Sequence, residues 1–333
     1  MTQIKGKKIL ITGGAGFIGS NLVDLLISIG CHVRVLDNLA NGKEINIRHH
    51  FQSSGFEFQK GSVTDKSDIE KALKDIDIVF NLACLGVRHS IRYPFENHQV
   101  NAEGTLLLLQ QALQNKIKKF IHCSSSEVYG TAHYVPMDEN HPTFPNTIYG
   151  ASKLAGESYA RAYYQTFHLP VVVLRPFNTF GPRSHFEGDA GEIIPKSIIR
   201  SLNNKPLVVF GDGKQTRDFT FVKDTAAAMV LAATNDELTG NTYNIGSCFE
   251  ISIADLVAKI KEITKSQSQI IFEKARPGDV LRLFASAVEF NKITQWEPKY
   301  NFDDGLHQTI EWFKNRSEDL SELIKEDKIF NWE

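Results

Sequence analysis

Lys8-Ile-Leu-Ile-Thr12 runs directly into Gly13-Gly-Ala-Gly16-Phe-Ile-Gly19. The first five residues form a short continuous apolar run, the pattern of a strand buried on both faces. Residues 17–29 then read as a helix, with Gly30 at the position where a helix cap favours a left-handed residue. Cys31-His-Val-Arg-Val-Leu-Asp37 reads as the next strand. The glycines therefore lie between a strand and a helix inside a βαβ unit, with an acid 18 residues after Gly19. In that setting the spacing G-x-x-G-x-x-G allows a tight turn and close approach of a pyrophosphate to the helix N-terminus. An acid at Asp37 suits a ribose 2′-hydroxyl and repels a 2′-phosphate, which favours NAD over NADP.

The alternation continues. Residues 56–59 read as a strand, 66–74 as a helix, 77–83 as a strand, 94–115 as one long helix, and 118–123 and 171–175 as further strands. Repeated β–α alternation predicts an α/β fold with a doubly wound parallel sheet, a Rossmann fold. Ligands of such sheets bind at the carboxyl ends of the strands. Asn81-Leu-Ala-Cys84 and Ser124-Ser-Ser-Glu127 both stand at such ends. Beyond residue 176 the alternation loosens. A charged, glycine-containing loop spans 181–192, and helices are expected at 193–202, 223–234, 253–264 and 302–313. The expected division is a dinucleotide-binding domain over 1–176, with a late strand returning from about 215–245. Residues 177–333 form mainly a smaller C-terminal α/β substrate-binding domain. The charged tail 316–333 reads as a solvated helix whose Phe330 and Trp332 pack back on the body or on a neighbour.

Length and composition narrow the function. The chain has 333 residues, 42% hydrophobic and 23% charged, enough for a sizeable core. A net charge of -2 argues against a nucleic-acid surface. No apolar run reaches a membrane span of about 20 residues, and the polar start 1–8 does not read as a signal peptide. Cys31, Cys84, Cys123 and Cys248 are scattered without a C-x-x-C pair, so free thiols and a cytoplasmic location are expected. His49, His50, His89 and His185 show no metal-ligand spacing, and no metal is expected. His185 stands in a loop within reach of a bound substrate.

Chemistry points to one stretch. Tyr149 and Lys153 lie four residues apart in a helical segment, on one face. An ammonium beside a phenol favours the phenolate, giving a proton acceptor usable near neutral pH. A serine opposite can share the proton.

Five motifs together resemble the extended short-chain dehydrogenase/reductase family: T-G-G-A-G-F-I-G-S from Thr12, S-S-S-E-V-Y-G from Ser124, Y-G-A-S-K from Tyr149, R-P-F-N-T-F-G-P-R from Arg175 and G-D-G-K-Q-T-R-D-F from Gly211. More narrowly they are similar to its nucleotide-sugar epimerases, 4,6-dehydratases and uronate decarboxylases. The resemblance runs from about residue 7 to 314. It implies NAD as cofactor, held by Gly13, Gly16, Phe17, Ile18, Gly19, Asp37, Asn38, Ser62, Val63, Leu82 and Ala83. It implies Tyr149 as the base for a sugar C4 hydroxyl, Lys153 on the nicotinamide ribose, and Ser125 sharing the proton. It places Arg88, Asn178, Arg217 and Arg276 on a nucleoside-diphosphate sugar, although Arg217 and Arg276 also suit surface ion pairs. Asn101 is implied behind the site, as support or as contact. A homodimer through helices near 96–115 and 149–167 is implied as well.

Departures from the family pattern are Ser62 for an acid near the adenine, Asn81-Leu-Ala-Cys84 for His-Leu-Ala-Ala, and Ser286 for an Asp, read here as a helix cap. The reaction turns on Ser126 and Glu127. A dehydratase of the family has Asp-Glu there and a decarboxylase commonly Thr-Ser-Glu, whereas an epimerase has small or neutral residues. Glu127 thus points away from a plain epimerase, unless it only orients Tyr149 or its loop. The first expectation is UDP-sugar 4-epimerisation, the second decarboxylation of a UDP-uronate, the third 4,6-dehydration. A non-catalytic NAD-binding sensor is disfavoured because both Tyr149 and Lys153 are present.

Overall fold

The computed structural model describes residues 2–316 and 320–332. Six strands come first: β1 (Lys8–Thr12), β2 (His32–Asp37), β3 (Phe56–Lys60), β4 (Ile78–Asn81), β5 (Lys119–Cys123) and β6 (Val171–Pro176). Then follow β7 (Asn178–Phe180), β8 (Leu207–Phe210), β9 (Thr216–Phe221), β10 (Thr242–Ile245), β11 (Glu250–Ser252), β12 (Ile270–Glu273) and β13 (Arg282–Leu283). The main sheet is parallel with order β10-β6-β5-β4-β1-β2-β3. The expected doubly wound Rossmann sheet is present. Register sets the chemistry: Thr12 pairs with Leu36 and with Asn81, and Cys123 with Leu174. The glycine loop, residues 82–85 and the serine turn therefore leave the sheet together at the carboxyl ends of its central strands.

Apolar side chains cover both faces of the sheet. Ile9, Ile11, Leu22, Leu26 and Met229 pack on one, and Leu10, Val79, Leu108 and Phe120 on the other. Gly30 closes the helix Phe17–Ile29 at φ 90, as its position predicts. Residues 94–114 are helical throughout, but a π turn over Gln99–Glu103 interrupts the α-helix. The extra residue turns Asn101 inward. Its Nδ2 donates to Leu85 O at 3.0 Å and to Ser152 Oγ at 3.0 Å, and its Oδ1 accepts from Leu85 N at 2.9 Å. Asn101 thus supports the loop after β4.

The later chain crosses between two cores. β7, β9, β11 and β13 form one small sheet and β8 with β12 another. Phe180, Ile198, Val209, Phe219, Leu256 and Phe313 fill the core there. The helix Val222–Thr234 and strand β10 return to the first core, where Ala226, Met229 and Ile245 are buried. Two expectations need correction. Ser286 caps no helix: the helix Val288–Thr294 starts after Ala287 with no side-chain cap, and Ser286 works through its backbone, its N–H donating to Met137 O at 2.8 Å. The tail is not a solvated helix either. Among its described residues, one helical turn (Leu320–Leu323) and a 3-10 turn (Ile324–Glu326) lead into an irregular strap that packs on the body. Apolar and amide groups at its end, Trp332 and Asn331, are buried.

Candidate active site

The cleft between the two cores measures about 430 Å³. Every residue assigned above to cofactor, chemistry or substrate lines it except Asn101, which stands behind. His185 lines it too.

At the cofactor end the helix Phe17–Ile29 begins at Gly16 with no side-chain cap. Its first amides are left free for an anion. The glycines close the turn: a Cβ on Gly13, at φ +70, would stand 2.8 Å from Ala83 N, and one on Gly19 2.2 Å from Gly13 O. Asp37 ends β2 at this rim. Its oxygens accept from Ala15 N at 2.9 Å and Leu39 N at 2.8 Å, bonds that offset part of the rise in pKa caused by its burial. A carboxylate has about four acceptor positions, so capacity for a ribose hydroxyl remains. Ser62 turns its hydroxyl to Thr64 Oγ1 at 2.8 Å. Asn81 accepts from Thr12 Oγ1 at 2.8 Å and donates to Thr105 Oγ1 at 3.1 Å, stitching β1 to β4 beneath the cleft. An uncapped helix N-terminus, close-packed glycines and an acid at the rim fit a dinucleotide.

The candidate reactive groups meet where β5 ends, beside the first turns of the helix Ile148–Phe167 and the loop after β4. Ser125 Oγ hydrogen-bonds the Tyr149 phenol and also accepts from Glu127 N at 3.2 Å. Lys153 Nζ donates to Cys123 O at 2.5 Å. The expected low phenol pKa is not met in the free protein. Burial pushes Tyr149 well above its ordinary value, the Cys84 thiol adds to the rise, and Ser125 offsets only part of it. The reason is desolvation: the cleft removes water from the phenol. Cys84, where the family pattern has alanine, is an exposed thiol in the cleft.

Glu127 also lines the cleft. Burial raises its pKa, while Arg217, Arg276 and Arg88 pull it down without cancelling the rise. Arg217 and Arg276 both pair with Asp279 Oδ1, at 2.9 and 2.5 Å. These ion pairs lie inside the cleft, not at the outer surface. Asn178 Oδ1 and Arg88 Nε are buried without partners in the protein, the condition in which a polar group awaits a ligand.

Sequence reading missed the frame behind these residues. Glu157, on the helix Ile148–Phe167, accepts from Ser124 Oγ at 2.9 Å and from Arg175 Nε at 2.9 Å. Arg175 Nη1 donates to Tyr129 OH at 2.7 Å, and Tyr129 OH to Asn244 Oδ1 at 2.7 Å. Glu157 falls eight residues after Tyr149, one more helical face position inward, which is the signal that was available. His49 and His50 also gain a partner that spacing did not show. Both Nε2 atoms contact Asp24 Oδ1, at 2.9 and 2.7 Å, while Arg183 holds its other oxygen.

Comparison with known proteins agrees with this geometry. The model of the GDP-mannose 4,6 dehydratase family matches residues 10–309. The chain belongs to this family. It is 36% identical over 312 residues to a putative UDP-glucose 4-epimerase of Methanocaldococcus jannaschii, covering 93% of this chain and 99% of that one. It is 35% identical to a UDP-N-acetyl-alpha-D-glucosaminuronate decarboxylase of Bacillus cytotoxicus, covering 94% and 99%. Among solved structures, a UDP-glucuronic acid 4-epimerase from Bacillus cereus, in complex with UDP-glucuronic acid and NAD, superposes with a TM-score of 0.87 at 33% identity, covering 92% of this chain and 99% of that one. Family membership is thus secure, while these relatives divide between two reactions.

Proposed function

We propose that this member of the family is an NAD-dependent UDP-sugar 4-epimerase. One observation carries the choice: Tyr149 and Ser125 face the cleft beside Ser126, where a dehydratase needs a second acid next to Glu127. A bound dinucleotide supplies reversible hydride acceptance. The chain's own residues do the rest. Tyr149 takes the proton of the C4 hydroxyl, Ser125 shares it, and Lys153 holds the ribose side. Asn178, Arg217 and Arg276 take the diphosphate. The resulting 4-keto sugar turns in the cleft to present its other face, where hydride returned by a bound dinucleotide would invert C4 while Tyr149 gives the proton back to the C4 oxygen. Gly13, Gly16, Gly19 and Asp37 serve the cofactor, with Asn38, Ser62, Val63, Leu82 and Ala83 around it.

Decarboxylation of a UDP-uronate is the second reading, because Glu127 is desolvated among three arginines, the setting of a group that handles a carboxylate substrate. Incubation with UDP-, dTDP-, GDP- and CDP-sugars, read by mass spectrometry and NMR, separates the reactions. An unchanged mass with inverted C4 supports epimerisation. Loss of carbon dioxide or of water overturns it.

The proposal extends to organisation. Residues 1–176 carry the cofactor and 177–333 mainly the substrate, with β10 completing the first sheet. Exposed Phe95 and Phe167 on helices Pro94–His98 and Ile148–Phe167 suit a homodimer face, which light scattering tests. Among the described residues no helix is long and apolar enough to cross a membrane, in keeping with a cytoplasmic location.

A further inference from the structure

The strap at the end of the chain reaches the substrate half of the cleft. Asp327 is anchored between Lys196 Nζ at 3.2 Å and Arg200 Nη2 at 2.5 Å, with its side chain 4% exposed. Phe330 and Trp332 then pack their rings on Phe210, centroids 5.9 and 4.8 Å away. Phe210 itself lines the cleft. Between those two aromatic residues, Asn331 is buried, and its Nδ2 donates to Gly188 O at 3.0 Å and Gly191 O at 3.1 Å.

The Gly191 carbonyl has a second donor, Arg88 Nη2. Arg88 belongs to the helix Val87–Arg92, which starts three residues after Cys84, the thiol beside Tyr149. One carbonyl is therefore held from two sides, by the tail and by a guanidinium at the sugar end of the cleft. A chamber of about 80 Å³ lies behind this junction, and Arg88 and Arg276 line both it and the main cleft. Asn331 and Trp332 form its far wall. Gly191 leads into Glu192, also in the cleft wall, with its carboxyl facing the Arg88 charge. A strap that merely covered apolar surface would need Phe330 and Trp332 but no amide aimed at this carbonyl.

We propose that the C-terminal strap is part of the substrate site, with Asn331 a positioning residue that sets the 188–191 turn and, through the Gly191 carbonyl, the Arg88 guanidinium at the sugar end. The strap orders the wall against which the sugar turns. Cofactor binding lies at the opposite end of the cleft and is independent of it. The inference rests on the UDP-sugar reading only for which ligand feels the strap.

The test uses the full-length holoenzyme as purified and the variants Asn331→Ala and Asn331→Asp, the second keeping the size while replacing the donor. Without added ligand, amide hydrogen exchange in peptides covering 186–192 and 87–92 should quicken roughly tenfold. Peptides covering 13–19 and the NAD content should stay as in the wild type. In calorimetry, the Kd of UDP-glucose should rise roughly tenfold, while that of UDP alone stays within about twofold of the wild type. Adding Asn331→Ala to Arg88→Ala should weaken UDP-glucose no further than Arg88→Ala alone, because the two act through one contact. Unchanged exchange at 186–192 overturns the proposal whatever ligand binds. So does equal weakening of UDP and UDP-glucose, or full additivity with Arg88→Ala. A wild type that binds neither UDP nor UDP-glucose instead refutes the UDP-sugar reading, and the exchange result then judges the strap by itself.

Discussion

Arg175 and Glu157 form a two-point ion pair behind the serine turn that follows β5, with Arg175 Nε donating to Oε2 at 2.9 Å and Nη2 donating to Oε1. Their side chains are 4% and 0% exposed. The same carboxylate holds Ser124, and the same guanidinium holds Tyr129. Two ends of the serine turn thus hang on one buried pair.

Removing one partner leaves an uncompensated charge in the core. Glu157→Gln should therefore lower stability by about 3 kcal/mol, read from the urea midpoint. The pH dependence has a definite sign. Burial by itself would raise the Glu157 pKa, but the Arg175 hydrogen bond and charge, with Arg161 and Ser124, bring it below the ordinary value. A depressed acid stabilises the fold above its unfolded pKa, and that contribution is lost as pH falls through the folded value. Wild type should lose stability on acidification more steeply than Glu157→Gln. Parallel curves would contradict the account.

Tyr149→Phe should retain NAD and lose turnover by roughly a thousandfold, the scale of a missing general base. Because burial holds the phenol protonated in the free protein, kcat/KM of the wild type should climb as pH rises from neutral into the alkaline range. A flat profile, or turnover surviving in Tyr149→Phe, would remove Tyr149 from the base role.

Glu127→Gln separates the reactions. A 4-epimerase should lose at most about tenfold, roughly 1.4 kcal/mol, since proton transfer at C4 belongs to Tyr149. A loss of several hundredfold, measured by initial rates on the true substrate, would favour a reaction in which Glu127 itself moves a proton.

Glu192 gives a stability signal of the opposite sign. Burial, offset in part by Arg88 and reinforced by Glu187, raises its pKa to about 7. An acid with a raised folded pKa costs stability as the unfolded chain ionises first. The cost starts near the ordinary value of 4.5 and is complete above about 7. Glu192→Gln should match the wild type at acidic pH and exceed it in alkali by up to about 3 kcal/mol. Urea midpoints at both pH values decide; equal gaps would show that Glu192 does not titrate in this window.

Much of the cofactor half was legible because its signals are local. A buried strand, a glycine loop and an acid at the end of the next strand are consecutive, and Gly30 closes the helix through its own backbone freedom. Phe330 and Trp332 pack back on the body as expected, but the solvated helix was misread because charge composition reports solvation of isolated residues, while Asp327 and Asn331 are held by partners more than a hundred residues away. The Ser286 cap failed because the helix starts one residue later than expected, which puts Ala287 at the capping position.

The chain's order of residues by itself determined the βαβ alternation, the dinucleotide loop and the pairing of Tyr149 with Lys153, since each depends on contacts within a few turns or one crossover. Only the tertiary structure decided the state of those groups. Desolvation in the cleft sets Tyr149 high, three arginines from separate segments surround Glu127, and the chain's end returns to brace Gly191. Such effects depend on which distant residues share a low-dielectric space, and spacing along the chain carries no record of that.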